Sequence, residues 1–249
     1  MSELKFPTEV IDLPSGGKVY GKESPLAEGK IELKYMTTRE EDILMSENLI
    51  KKGVVIDKLL DSLIVTKGVT QESLILGDKN AVLVAARILA YGPEYTAEVA
   101  NPNNPEQKVE HTFDLTECKF KDPKDDVDYT DNSFDFETPI GKNKLKLKLL
   151  TGKEEKLIEK DLAQTKKFGY NAEISTRLRY TIIEVDGDNK PETITAASQN
   201  MLARDSMALR NYIQEISPDI DLTSEIEMGG EPVSVSIPLT VGFFWPQSI

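Results

Sequence analysis

The chain has 249 residues, 39% of them hydrophobic and 29% charged, with a formal net charge of −13. That balance belongs to a folded globular chain that can bury a substantial core, as one large domain or two of ordinary size. The negative excess argues against nucleic acid and anionic membrane as partners, because both would repel it.

Residues 1–30 are rich in Pro and Gly around Leu13-Pro-Ser-Gly-Gly-Lys-Val-Tyr20 and predict an extended arm with turns. Such an arm lies across a partner or across its parent domain. Residues 31–36 then alternate as a strand. Thr37 stands three residues before Glu40, and Thr38 three before Glu41, so either threonine can build a capping box. A helix is predicted from there to about Lys51, stopped by Gly53. Apolar residues at 56, 59, 60, 63 and 64 carry a helical period through residues 54–65. A third helix begins near Asp78 and covers residues 81–90. It is apolar on nearly all sides, which predicts burial, and Tyr91-Gly92-Pro93 ends it.

Tyr95, Ala97 and Val99 alternate before Asn101-Pro-Asn-Asn-Pro105, and Val109, His111, Phe113 and Leu115 alternate after it. This predicts a β-hairpin with a long tip. The acidic residues 121–133 read as a solvated, mobile linker. Phe134 and Phe136 begin a short strand, and Leu145, Leu147 and Leu149 form another. Thr151-Gly-Lys-Glu154 is a further capping box, for a helix running to Lys167. Residues 174–185 read as a strand and Asp186-Gly-Asp-Asn189 as a hairpin turn or loop. Residues 203–216 predict a helix ended by Pro218. Ile226, the pair Gly229-Gly230, and Val233, Val235 and Ile237 outline a second hairpin.

The order of signals repeats. Ile31-Glu-Leu-Lys-Tyr-Met-Thr-Thr-Arg-Glu-Glu-Asp-Ile-Leu44 and Leu145-Lys-Leu-Lys-Leu-Leu-Thr-Gly-Lys-Glu-Glu-Lys-Leu-Ile158 share one plan, a strand running into a capped helix. Lys79-Asn80 and Arg204-Asp205 each open an apolar helix that ends before a proline, with the same spacing. The expected fold is therefore α+β, with two similar halves from an internal duplication, each combining strands, packed helices and a projecting β-hairpin. The expected division is an N-terminal arm (1–30), a first α+β repeat (31–120), an acidic linker (121–133) and a second α+β repeat with an aromatic C-terminus (134–249).

Residues that could perform chemistry are scarce. His111 is the only histidine and falls on a strand face, where a structural role is the simpler reading. Cys118 is the only cysteine, which excludes an intrachain disulfide and points to a reducing compartment. Gly16-Gly17-Lys18 lacks the upstream glycine and the following Ser or Thr of a phosphate loop. Asp125-Asp126-Val-Asp128 lacks the glycine and glutamate of a calcium loop. Glu40, Glu41 and Asp42 are accounted for by capping and the helix dipole. No catalytic, cofactor or metal residues are assigned. The start of the chain carries no signal-peptide core and no apolar run is long enough to span a bilayer, so a soluble intracellular protein is expected. Phe243, Phe244, Trp245 and Pro246 either pack on the chain's own core or anchor a partner. With Leu13, Pro14 and Tyr20 of the arm they form the candidate partner interface.

Several segments together resemble a known family. They include Leu13-Pro-Ser-Gly-Gly-Lys-Val-Tyr20, Thr37-Thr-Arg-Glu-Glu-Asp-Ile-Leu44, Gly77-Asp-Lys-Asn80 and Ala86-Arg-Ile-Leu-Ala-Tyr-Gly-Pro-Glu-Tyr95. Ala203-Arg-Asp-Ser206, Leu209-Arg-Asn-Tyr212, Ser217-Pro-Asp-Ile220 and Phe243-Phe-Trp-Pro246 continue the series. In number and order they resemble the baseplate hub assembly proteins of T-even-like contractile-tail bacteriophages. The resemblance implies a non-enzymatic chaperone or scaffold acting on other baseplate hub or tail proteins in the host cytoplasm. The alternative it leaves open is a permanent structural subunit kept in the virion baseplate; homo-oligomerisation is also left open. Relatives carry Cys-x-x-Cys pairs at the two hairpin tips. Here neither tip has a cysteine, so packing and turn chemistry must hold them.

Overall fold

The computed structural model describes residues 6–167, 169, 171–239 and 241–244. Thr8–Asp12 (β1) pairs antiparallel with Lys30–Lys34 (β2), placing Ile11 opposite Ile31. The loop between them lies across its own domain. Leu13, Val19 and Leu26 are buried, and the Leu13 N–H donates to the Gly29 carbonyl at 2.8 Å. Gly17 has φ +78°, and a Cβ there would sit 2.3 Å from the Ala27 carbonyl oxygen, so only glycine fits.

Thr37 closes the expected capping box: its N–H and its hydroxyl both donate to Glu40 Oε2, at 3.0 and 2.7 Å. The helix it starts is shorter than predicted. It covers Thr38–Leu44 (α1), the chain turns at Met45 and Ser46, and Glu47–Lys51 (α2) follows. The break turns Leu44 into the core while α2 buries nothing, so one straight helix would not satisfy both. Val55–Leu63 (α3) buries Val55, Leu59, Leu60 and Leu63, the face its period marks. Leu76–Tyr91 (α4) is buried on most sides.

Glu94–Asn101 (β3) and Asn104–Asp114 (β4) form the predicted hairpin, but its tip is tight rather than long. The Asn101 side chain accepts from the Asn103 N–H at 2.9 Å and donates to Gln107 at 2.9 Å, so the strands run almost to the turn. Phe120–Lys121 (β5) follows. The acidic stretch after it is fastened rather than loose. Tyr129 is buried, and its hydroxyl donates to the Ile216 carbonyl at 2.7 Å. Asn132 exchanges two hydrogen bonds with the Leu149 backbone, each 2.9 Å.

Phe134–Glu137 (β6), Lys144–Leu147 (β7) and Ile182–Val185 (β8) make an antiparallel sheet in that order. Gly152–Lys167 (α5) starts at the expected Thr151–Glu154 box. The predicted strand over 174–185 is corrected: Glu173–Thr181 (α6) is helical and only β8 is extended. Ile174, Leu178 and Ile182 recur every four residues, and Arg177 ties α6 to α5 through Glu155 at 2.6 Å. Tertiary contact overrides the β-branched composition. The turn at Asp186 and Gly187, both at positive φ, leads into Pro191–Asn200 (α7) instead of a strand. Pro191 in the first turn was the available signal for that helix. Ala203–Ile216 (α8), Asp219–Ile220 (β9), and the hairpin of Thr223–Met228 (β10) with Glu231–Ser236 (β11) complete the order.

The architecture is α+β, with two hydrophobic cores. One holds residues from 13 to 115 together with Ile220, Ile226, Met228, Val235, Ile237, Phe243 and Phe244. The other gathers residues of 129–216 around the β6–β7–β8 sheet and takes in Val19 and Ile75. Elements therefore cross between the halves. They meet where α4 begins. A Cβ on Gly77 would lie 2.0 Å from the Pro218 carbonyl oxygen, and Asn80 donates to Asp219 Oδ1 at 3.1 Å. Gly77→Ala should therefore cost about 3 kcal/mol through forced overpacking. Gly21→Ala, where nothing lies within 4 Å, should change stability little. Chemical denaturation of both variants checks this, and equal costs would contradict it.

Candidate functional site

Most of the residues that caught attention in the sequence are internal fasteners. Asp78, fully buried in the first turn of α4, accepts Ser15 N–H at 2.9 Å, the Ser15 hydroxyl at 2.7 Å and the Tyr20 hydroxyl at 2.6 Å. Tyr20 in turn accepts the Ile75 N–H at 3.1 Å. Burial lifts the Asp78 carboxyl above its ordinary value, although Tyr20 and Ser15 favour its charged form. Burial and the facing carboxylate push the Tyr20 phenol far up. Lys79 pairs with Asp57 at 2.8 Å, so each residue of Gly77-Asp-Lys-Asn80 has its own structural task.

A matching set stands in the other half. Asp205, in the first turn of α8, accepts Ile140 N–H at 2.8 Å and Gly141 N–H at 2.9 Å. In both halves an acid at the start of a long helix grips the loop that follows the first strand of an antiparallel pair. The capping boxes match as well. Lys34 reaches Glu40 at 2.8 Å and Lys148 reaches Glu154 at 2.8 Å, each glutamate also held by its capping threonine. Burial opposes the charged form of Glu40 and Glu154, but the lysine and threonine hydrogen bonds outweigh it and hold both carboxyls below their ordinary value.

Arg87 is the other buried node. Its Nε donates to the Phe243 carbonyl at 2.9 Å, Nη1 to Gly92 and Nη2 to Glu94, each at 3.1 Å. Its guanidinium lies over Tyr91 and Tyr95 at 5.1 and 5.9 Å. Phe243 meets Tyr95 edge-on at 4.8 Å and Phe244 at 5.3 Å. The expected partner interface is corrected here. Phe243 and Phe244 are each 1% exposed, Leu13 and Pro14 are buried, and the Tyr20 hydroxyl belongs to the Asp78 network. These side chains complete the chain's own core. Trp245 and Pro246 lie outside the described residues.

His111 stands half-buried on β4 against Phe113, ring centroids 4.8 Å apart. Burial, with Asp221, Asp114 and Glu117 nearby, pushes the Cys118 thiol up, away from the reactive thiolate. Among the described residues no three His, Cys, Asp or Glu side chains are grouped to hold a metal, and no helix is long and apolar enough to cross a membrane.

Clefts open to solvent among the described residues include two of note. One of about 830 Å³ follows β5 and β9 at the junction of the halves. The other, about 1220 Å³, lies among α5, α6, α7 and α8. Sequence reasoning missed the larger one because it read one wall, α6, as a strand and passed over another, α7.

With fold and clefts in place, comparison with known proteins supplies the identity. Residues 6–134, more than half of the chain, match the family described as T4 bacteriophage base plate protein, and the chain belongs to that family. No curated protein and no solved structure matches it. The matched region ends where β6 begins, so it contains the Asp78 and Arg87 nodes but not the residues from 220 onward that close their core.

Two expectations follow. A carboxyl raised on folding contributes stability that is full below the ordinary carboxylate value and is lost as pH rises through its folded value. The stability of the parent protein relative to Asp78→Asn should therefore climb as pH falls from neutral toward the ordinary carboxylate range, then level off. Denaturant titrations across pH measure that difference, and a gap that widened with rising pH would contradict the assignment. Separately, Phe244→Ala should cost about 3–5 kcal/mol by core truncation. Arg87→Leu should cost about 3 kcal/mol or more by leaving its carbonyl acceptors unpaired. Native-like stability in either variant would show that the C-terminal segment is not anchored this way.

Proposed function

We propose that this protein acts without catalysis, as a chaperone or scaffold in building the phage baseplate hub through contacts with other hub or tail proteins. Membership of the base plate family carries the reading. Large apolar side chains left on the surface support it: Phe6, Val10, Met45, Leu202 and Met207 are each 46% exposed or more. Such residues are what a contact-making protein keeps available, although singly they are ordinary. An assembly factor would hold a hub subunit in register in the host cytoplasm until docking. A resident subunit would use the same surfaces permanently.

We also read the paired clamps and capping boxes as two copies of one unit, which would give a scaffold two related faces. A superposition in which β1, β2 and α1 failed to overlay β6, β7 and α5 would end that part of the reading.

The deciding experiment is quantitative mass spectrometry of purified mature particles beside infected-cell lysate. The assembly role predicts abundance in lysate and absence from particles. Stoichiometric retention in particles would replace it with the resident-subunit role.

A further inference from the structure

We propose that α5 is a strap that opens and closes against the rest of the fold, hinged just before its first turn. Its place in the packing carries this furthest. α4 and α5 are both 16 residues long. α4 gives Ala81, Val82, Leu83, Val84 and Ala86 to the first core, whereas α5 gives no residue to either core. Gly152 and Ile158 are the buried residues of α5, and Leu157 is 40% exposed. An element with so little buried apolar surface sits at the low end of local stability.

What holds α5 is polar and unevenly spread. Its start is fixed by a backbone bridge between Ile75 and Thr151. There the Leu76 N–H donates to the Leu150 carbonyl at 3.3 Å, and the Gly152 N–H to the Leu74 carbonyl at 2.9 Å. Beyond that hinge the attachments are ionic. Lys156 meets Glu72 and Arg177 meets Glu155, each at 2.6 Å, while Arg179 and the Tyr180 hydroxyl bind Asp161. The side chains of Lys156, Glu72, Arg177 and Arg179 are each more than a third exposed, so water and salt screen these pairs.

The surface beneath α5 contains an unmatched group. Gln71 begins a 3-10 turn, Gln71–Ser73, that α5 covers. A Cβ on Gly152 would lie 2.5 Å from the Gln71 carbonyl oxygen and 2.9 Å from its Oε1. Gln71 is 1% exposed, and Oε1 is the one buried side-chain polar atom among the described residues that has no hydrogen-bond partner. Closing α5 strips water from this amide oxygen and gives it nothing in return, and lifting α5 lets water back. The amide therefore holds the closed state close to balance with the open one. Opening also uncovers Ile158. Because Asp161, Gln164 and Thr165 line the larger cleft, the same movement sets its width. None of this depends on the baseplate reading.

The test is hydrogen–deuterium exchange of the full chain, read by mass spectrometry at low and high NaCl and in low concentrations of urea. Amides of residues 156–167 should exchange about 100-fold faster than those of α4 and α8, yet more slowly than an unstructured peptide of the same sequence. High salt should speed them further, by about threefold. Urea well below the unfolding midpoint should speed α4 and leave α5 nearly unchanged, because a local opening exposes little new surface. Gln71→Met keeps the side-chain length without the unpaired oxygen and should slow α5 exchange about tenfold. Arg177→Gln with Arg179→Gln should speed it about fivefold. Exchange of α5 as slow as that of α4, or rising with urea in step with it, would make α5 part of the global unit and overturn the proposal. Exchange as fast as the free peptide would mean that no closed state exists, and indifference to salt and to both sets of substitutions would remove the stated cause; each equally overturns it. None of these failures touches the baseplate role, which the particle measurement decides independently.

Discussion

The structure turns on a buried carboxylate at the start of its most buried helix. Without Asp78, the loop of residues 13–29 would lose the acceptor for two donors of Ser15 and for the Tyr20 hydroxyl. That loop supplies Leu13 and Leu26 to one core and Val19 to the other. Gly77, one position earlier, lets the Pro218 backbone come close, so the same helical turn fixes the N-terminal loop and the seam between halves. Taking a carboxylate out of water is costly, and three charge-favouring hydrogen bonds offset much of that cost. The network is stabilising only when complete, which ties the placement of the loop to the placement of the helix.

Asp205 plays the corresponding part with different chemistry. Its two donors are both backbone N–H groups, so the gripped sequence is freer there than at Ser15 and Tyr20. The Lys34–Glu40 and Lys148–Glu154 pairs show the same economy, each fixing a helix start against the strand before it. What the halves share is thus local anchoring. What they do not share is ownership of the cores, because β10, β11 and the two terminal phenylalanines belong to the first core.

Local chemistry was the legible part of the sequence. The capping boxes at Thr37 and Thr151, the end of α4 at Gly92 and the bounds of α8 depend on residues a few positions apart, and pattern alone reveals them. The kink at Met45, the helical state of residues 173–181 and the anchoring of residues 121–133 depend on distant partners: the core beneath Leu44, Glu155 on α5, and the Ile216 carbonyl. No window of sequence contains those contacts. The aromatic C-terminus was ambiguous for the same reason. Whether a phenylalanine anchors a partner or its own core depends on whether Tyr95 and Arg87 are waiting for it. The cleft lay beyond reach because two of its four walls, α6 and α7, had not been recognised as helices.

The Arg87–Phe243 bond joins residues 156 positions apart. A ribosome would release most of the polypeptide before that contact could form, so the first core would spend synthesis with one side open. Folding of this half is thereby coupled to translation of the far end of the chain, against the general tendency of N-terminal units to finish first. A prematurely terminated product lacking the last two strands would keep apolar surface uncovered and be exposed to proteolysis. The first core is consequently complete only in chains translated through Phe244.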